Sequence, residues 1–443
     1  MQHTPLGWAP TVPNHWDIVP LRYVAKMGTG HTPDRTKPEY WHDCTIPWVT
    51  TPDVSRRGDT LAPLMNTEQK ISEIGMANSA AVLHPTNTVM LSRTASVGYS
   101  VRIGRPMATT QAFVTWSAGP RLDPRYLLLV LRAMKPEWEK LAYGSTHLTI
   151  YMPDLESLRI PLPPLNEQRR IADFLDAETA RIDRVVEARQ AQSALLSLML
   201  GQLIDGATAG DAKSLEEIGV DSDGVDWEIG KVSRLCQVIP GYAFPSEGFL
   251  HTGGTRLLRG INVSVDETSW DDTVSWDEDN TPAPQRFHLR DGDLVMGMDR
   301  PWISSGMRMT FISEKDLPAL LLQRVACLRP KSAEVNMRYV YWSLRSSRFR
   351  QAVEGELTGV SVPHLSGDQI GGFTFPLPPL STQRDISDRL SAHSARIRSL
   401  RSTMNRQAEL LDERRQALIT AAVTGQFDVT TASGRNVTEG VAV

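Results

Sequence analysis

The chain has 443 residues, room at roughly 100–200 residues per domain for two to four domains with cores of their own. Hydrophobic residues make up 41% and charged residues 22%, which excludes collagen-like, disordered and coiled-coil-only chains. A net charge of −4 argues against coating nucleic acid through bulk positive charge, and leaves specific binding through a local patch open. Cys44, Cys236 and Cys327 show no CxxC spacing, so neither a disulfide framework nor a zinc site is expected and a reducing, cytoplasmic compartment is. The opening MQHTPLGWAP lacks a basic stretch followed by an apolar one and no run of about 18 apolar residues occurs, so neither secretion nor membrane spanning is expected.

In chain order, residues 1–160 alternate short β-branched runs with turns: HWDIVPLRYV (15–24), IPWVTTPDVS (46–55), NTVMLSRTASVGYS (87–100) and TTQAFVTW (109–116). A helix, YLLLVLRAM (126–134), follows, and together they predict an α+β domain. PLPPL (161–165) reads as a rigid extended stop. A long helix comes next, its seam running Ile171, Leu175, Glu178, Ile182, Val185, Arg189, Gln192, Leu196, Met199, Leu203. Residues 216–375 repeat the first plan with DWEIGKVSRL (226–235), RLLRGINVSVD (256–266), GDLVMGMDRPWISSG (292–306), LLQRVACL (321–328) and YVYWSLRSS (339–347). A second PLPPL (376–380) leads into the seam Ile386, Leu390, His393, Ile397, Leu400, Met404, Gln407, Leu411, Arg414, Leu418.

PLPPLNEQRRIADFL (161–175) thus returns as PLPPLSTQRDISDRL (376–390), a displacement of 215 residues that still holds where Leu203, Ile204 and Gly210 meet Leu418, Ile419 and Gly425. Gap-free register over such a span suits a long helix, in which one inserted residue rotates everything downstream by about 100°. Each helix is expected to run about 35–40 residues at 1.5 Å per residue, and each to pair with its own copy in an antiparallel intramolecular coiled coil related by a pseudo-twofold. The expected divisions are 1–160, 161–215 (first spacer helix), 216–375, 376–425 (second spacer helix) and a tail, 426–443.

Catalytic signatures are missing from the sequence. There is no GxxxxGK[ST] phosphate loop, no HExxH, no GxSxG, and no Asn/Asp-Pro-Pro-aromatic tetrad, since PLPPL ends in leucine. GTGHTPD (28–34) opens no helix and reads as a turn, and PEWEK (136–140) reads as a solvated helix face. The chain is therefore expected to be noncatalytic, with no cofactor and no metal.

The two-copy pattern, with PLPPLxxQRxI, ARI (180–182 and 395–397) and the late TAAVTGQFDV (420–429), resembles the specificity subunit of type I restriction-modification enzymes over essentially the whole chain. The first copy departs by ending IDGATAG (204–210), and the second by carrying Ser381–Thr382 in place of Asn166–Glu167. The resemblance implies an α+β chain in which two variable target-recognition domains each read half of a split double-stranded DNA site. It further implies a helical spacer that docks two methyltransferase subunits, and restriction subunits that join that core. A noncatalytic protein-interaction scaffold with two binding domains is the alternative reading.

Residues 1–160 hold 16 Lys and Arg against 13 Asp and Glu, whereas 216–375 hold 16 against 23. The second domain must therefore read bases through a few placed side chains, with its acidic run Asp266 to Asp279 on a solvated loop away from the duplex. The candidate DNA-contacting residues in the first domain are Arg56, Arg57, Ser92, Arg93, Thr94, Ser96, Gln111, Ser145, Thr146 and His147. In the second they are Arg259, Asn262, Asp299, Arg300, Gln323, Thr358, Ser361 and His364. Arg93 and Arg300, each in a loop after a β-rich run, are the strongest candidates for forking onto guanine O6 and N7.

Overall fold

The computed structural model describes residues 1–94, 96–143, 148–221, 227–355, 364–427 and 429. The chain forms two compact units, Met1–Ala191 with Met404–Val443, and Gln192–Thr403. Each unit therefore takes part of each long helix.

The first unit contains β1 (Asp17–Pro20), β2 (Ala25–Thr29), β3 (Ile46–Val49), β4 (Val89–Ser92), β5 (Ser100–Arg102), β6 (Ala108–Thr109), β7 (Phe113–Ala118), α1 (Pro124–Ala133) and β8 (Arg159–Leu162), and it leads into α2 (Leu165–Ala209). Its main sheet is antiparallel with order β2-β7-β4-β5. Beside it, β3 pairs parallel with β6, and β1 pairs with β8. Val89–Ser92 and Phe113–Trp116 are buried at every residue, so these central strands read as unbroken apolar runs instead of alternating ones.

The second unit repeats this plan with β9 (Glu228–Lys231), β10 (Cys236–Pro240), β11 (Thr255–Leu258), β12 (Leu294–Gly297), β13 (Met309–Phe311), β14 (Ala319–Leu321), β15 (Val325–Pro330), α3 (Met337–Arg345) and β16 (Thr374–Leu377), followed by α4 (Leu380–Val423). The sheet order is β10-β15-β12-β13, again antiparallel, with β11·β14 parallel and β9·β16 antiparallel.

The glutamine of each PLPPLxxQ segment shows why that motif recurs. Gln168 is buried; its amide donates to Pro163 O (2.8 Å) and Arg121 O (3.0 Å), and its carbonyl accepts from the N–H of Asp123 (2.8 Å), the residue that caps α1. Gln383 does the same with Pro378 O (2.9 Å) and with the N–H of Asn336 (2.9 Å), the cap of α3. One side chain thus ties the start of a long helix to the N-terminus of the domain helix, satisfying groups that otherwise lie buried and unpaired. The tyrosines behind it match as well, Tyr126 donating to Pro161 O (3.1 Å) and Tyr339 to Pro376 O (2.8 Å).

The gap-free repeat has a packing cause. The first unit's core includes Ile171 and Leu175 from α2 with Leu418, Ile419 and Ala422 from α4, and the second unit's core includes Ile386 and Leu390 from α4 with Leu203, Ile204 and Ala207 from α2. Each core is sealed by the start of one helix and the end of the other, so spacing along both copies is fixed. In the first unit the segments run antiparallel: Phe174 meets Phe427 at 5.4 Å, and Asp183 pairs with the buried Arg415. In the second, Arg401 donates to Ser193 Oγ at 3.2 Å. Burial raises the Asp183 carboxyl pKa against the pull of Arg415.

The helices are longer than expected, at 45 and 44 residues, and Gly201 lies inside α2 without ending it. The heptad reading holds only at the helix ends: Val185, Met199 and Leu400 are exposed by 40–49%, so the middle of either seam is not a packed stripe. Gly210 and Gly425 end the two helices with left-handed φ of 80° and 67°, and a Cβ there would crowd Trp227 or Pro13 and Trp16. The substitution of Asn166–Glu167 by Ser381–Thr382 has a local consequence, because Glu167 accepts from Trp16 Nε1 and lies against His15 Nε2, both at 3.0 Å.

Candidate nucleic-acid interface

In both units the loops gather where the central strands end. The pairs Phe113↔Ser92 and Val114↔Thr29 put three first-unit connections at one edge, and Val325↔Gly297 with Ala326↔Pro240 do so in the second. The hydrogen bonds past these strand ends match one for one. Arg93 N donates to Ala112 O (2.8 Å) and Ile150 N to Arg93 O (2.8 Å), while Met298 N donates to Arg324 O (2.9 Å) and Leu365 N to Met298 O (2.8 Å). The isolated bridges Thr94↔Thr149 and Asp299↔His364 complete the match. Gly30 and Gly241 follow the equivalent strands, and a Cβ on either would stand 2.0 Å from a backbone carbonyl oxygen, Thr109 O or Leu322 O.

On the first-unit frame, Arg93 reaches back with Nε to Gln111 O and Nη1 to Ile150 O, both at 3.3 Å, so it brackets two loops. The exposed Gln111 accepts from the Thr32 hydroxyl at 2.7 Å, and His31 N donates to Thr109 O at 3.0 Å. Thr94 and Ser96 are half-buried beside them. Arg35 lies over Trp41 and Trp48 at 5.2 and 5.8 Å on the same connection.

On the second-unit frame, Arg300, Gln323 and Arg324 are exposed. His364 Nδ1 lies 2.7 Å from Asp299 Oδ1, and Arg324 Nη1 stands 3.6 Å from that oxygen and 3.2 Å from the imidazole nitrogen. With the imidazole proton directed at Asp299, the carboxylate holds both groups. Arg308 supports the loop from behind, donating to Val263 O and Asp299 O at 3.0 Å, and burial lowers its pKa. Tyr242 is 39% exposed, and its backbone carbonyl accepts from Gln323 N at 2.8 Å.

The structure therefore brings together Arg93, Thr94, Ser96 and Gln111 in one unit and Asp299, Arg300, Gln323 and His364 in the other. Of the other expected contacts, some are buried or engaged elsewhere. Ser92 is fully buried as the last residue of β4, and Asn262 is 2% exposed, with its amide on Ser269 O and Asp272 O. Arg259 is engaged by the carbonyl and the carboxylate of Asp272, both at 2.6 Å. Arg57 donates to Ala62 O at 2.7 Å, and burial lowers its pKa, while Arg56 pairs on the surface with Glu68 at 2.9 Å. Ser145, Thr146, His147, Thr358 and Ser361 lie outside the described residues. The acidic run is not wholly solvated, because Asp266 turns inward to Tyr341, Arg345 and Arg398.

Sequence reasoning missed His31, Thr32, Tyr242 and Arg324. The signal for the first three was a glycine directly after a strand, Gly30 or Gly241; Arg324 had none, since its partners arrive through strand pairing. Among the described residues no group of three His, Cys, Asp or Glu side chains is placed to hold a metal ion, and no helix is long and apolar enough to cross a membrane.

The model of the type I restriction modification DNA specificity domain matches twice, over residues 13–191 and 224–410. The chain belongs to this family. Its relatives include the MjaVIII specificity subunit of Methanocaldococcus jannaschii, 24% identical over 311 residues, 70% of this chain and 71% of that one. The EcoAI specificity subunit of Escherichia coli is 35% identical over 165 residues, covering 37% of this chain and 28% of that protein. Among solved structures, a chain of a type I R-M system superposes with a TM-score of 0.68 at 19% identity, covering 94% of this chain and 99% of its own. The HsdS subunit of Thermoanaerobacter tengcongensis gives 0.50 at 19% identity over 96% and 100%. The fold is shared with both.

Proposed function

We propose that the chain is the noncatalytic DNA-recognition subunit of a type I restriction-modification complex, each unit reading one half of a bipartite site. The observation that carries this reading is the pair of equivalent loop frames presenting different polar side chains, which suits one recognition device used on two sequences. Base edges in the major groove are distinguished by a few hydrogen-bonding groups, and phosphate contacts fix position without reading sequence. With a net charge of −4 on the chain, much of the phosphate neutralisation falls to partner subunits. Two methyltransferase subunits, one for each copy of the repeated helix, and restriction subunits complete the complex in a cytoplasmic setting. Methyl transfer and DNA cleavage belong to those partners.

The test is an exchange of residues 1–160 for the equivalent domain of a relative, followed by mapping of methylated sites. One half of the recognised sequence changes and the other stays. A simultaneous change in both halves contradicts independent reading, and binding of a protein ligand without any DNA preference favours the scaffold reading.

A further inference from the structure

Among the described residues outside glycine, positive φ occurs at Asp43, Asn87, Asp266, Arg300 and Arg324. Aspartate and asparagine tolerate this region because their short polar side chains bond locally, and arginine has no such compensation. Both arginines sit on the same loop frame: Arg324, with φ of 70°, directly precedes β15, and Arg300, with φ of 45°, lies three residues after β12, the strand paired with it. Unfavourable backbone conformations persist only where the surrounding structure over-determines them, and they cluster at binding and active sites.

The two side chains differ in restraint. Arg324 is directed by the Asp299 carboxylate at 3.6 Å, and it remains 55% exposed. Arg308 and the Asp299↔His364 bridge in turn fix Asp299. A guanidinium drawn toward a carboxylate on one side turns its other N–H groups away from it, and its planar fork matches guanine O6 and N7. Arg300 is exposed at a loop tip with no such clamp, which suits a phosphate, where direction matters less. In the first unit the position equivalent to Arg324 is Ala112, so that unit lacks this device.

We infer that Arg324, aimed by Asp299 while His364 holds that carboxylate, reads a guanine in the half-site of the second unit, and that Arg300 grips the adjacent phosphate backbone. The inference rests on the DNA-recognition reading above and adds a base and a residue to it. Arg324 thus takes over the guanine-reading role that the sequence suggested for Arg300.

The test uses the full chain assembled with its methyltransferase subunits, with methylated sites mapped over genomic DNA. The domain exchange described above assigns each half-site to its unit. The wild-type complex should show a guanine in the half assigned to the second unit. Arg324→Ala and Arg324→Gly should each accept other bases at that one position, with discrimination falling about ten- to a hundredfold, while the other half-site is unchanged. Glycine removes the backbone penalty together with the side chain, so a melting temperature at or above wild type shows that the lost discrimination is not unfolding. Arg300→Ala should keep the motif and weaken binding evenly over sequences, with a shallower salt dependence. A second half-site without guanine, or an unchanged motif in both Arg324 variants, overturns the inference while the DNA-recognition reading stands. A wild-type complex that methylates without any bipartite motif overturns that reading and the inference with it.

Discussion

In the first unit the residue after the central strand Val89–Ser92 is Arg93, whose guanidinium is engaged by Gln111 O and Ile150 O. In the second unit the equivalent residue after Leu294–Gly297 is Met298, buried at 5% exposure, and the exposed arginines stand at 300 and 324. The backbone bonds that place Arg93 and Met298 are the same, so the frame does not choose the side chain. The first unit uses an arginine to brace its loops and leaves Gln111 and Thr32 at the surface. The second braces its loops with Arg308 and the Asp299–His364 pair and leaves arginines outside. Recognition can therefore diverge between the two copies without disturbing the sheet beneath, as long as residues common to both keep the frame closed.

That division between shared frame and free surface predicts where damage is symmetric. Gln168→Ala and Gln383→Ala each remove a buried amide that serves a helix cap and a proline carbonyl, leaving those groups desolvated and unpaired. Each should lower stability by about 2–3 kcal/mol, and the two losses should agree within about 1 kcal/mol. Thermal and denaturant unfolding of both variants measures this. A loss confined to one of them would mean that the two motifs do different work despite their shared geometry.

The second unit carries an extra element that sharpens the contrast. Between β13 and β14, Asp316 is buried, and although burial pushes its carboxyl up, hydrogen bonds from Thr268 Oγ1, Trp270 Nε1, and the Ser313 hydroxyl and N–H hold its pKa at about 2. The connection between β5 and β6 in the first unit is shorter, and its Arg105 bonds Asn66 at the surface. A carboxyl whose folded pKa lies below its unfolded value of 3.8 contributes stability that is complete above about pH 4 and is lost as pH falls through about 2. Asp316→Asn should cost about 1–2 kcal/mol at pH 7, and the gap from wild type should narrow between pH 4 and pH 2. A gap that stays constant over that range would show that the ionised carboxylate is not what holds the loop.

The sequence made the frame legible and the surface only partly so, for physical reasons. PLPPLxxQ and the apolar helix ends repeat without a gap because each core is closed by both helices, which leaves no freedom for insertion. The seams read as apolar at each end and polar in the middle, and the exposure of Val185, Met199 and Leu400 agrees, although heptad spacing alone cannot say how far a packed contact extends. Asp299, Arg300, Gln323 and His364 were legible as polar residues at parallel loop positions. Ser92 looked identical in kind but continues a strand buried at every residue, and Asn262 uses its amide to close its own loop. Arg324 escaped notice because its neighbours come from β12 and from residue 364, through pairings that no local pattern announces.

Arg56 gives the smallest expected effect, and it separates a surface contact from a structural one. Its pair with Glu68 is exposed on both sides, 72% and 63%, so solvent screening leaves it little to contribute to folding. Arg57, one residue on, donates to Ala62 O and is partly buried, so its truncation acts on the loop itself. Arg56→Ala should therefore leave the melting temperature within about 1 °C of wild type, an effect below roughly 0.5 kcal/mol. If Arg56 meets a phosphate in the complex, the dependence of log K on log salt should become shallower by about 0.9, with the recognised sequence unchanged. An unchanged salt slope would place the DNA path away from the 51–55 helix and leave first-unit recognition to the frame that carries Gln111, Thr32 and His31.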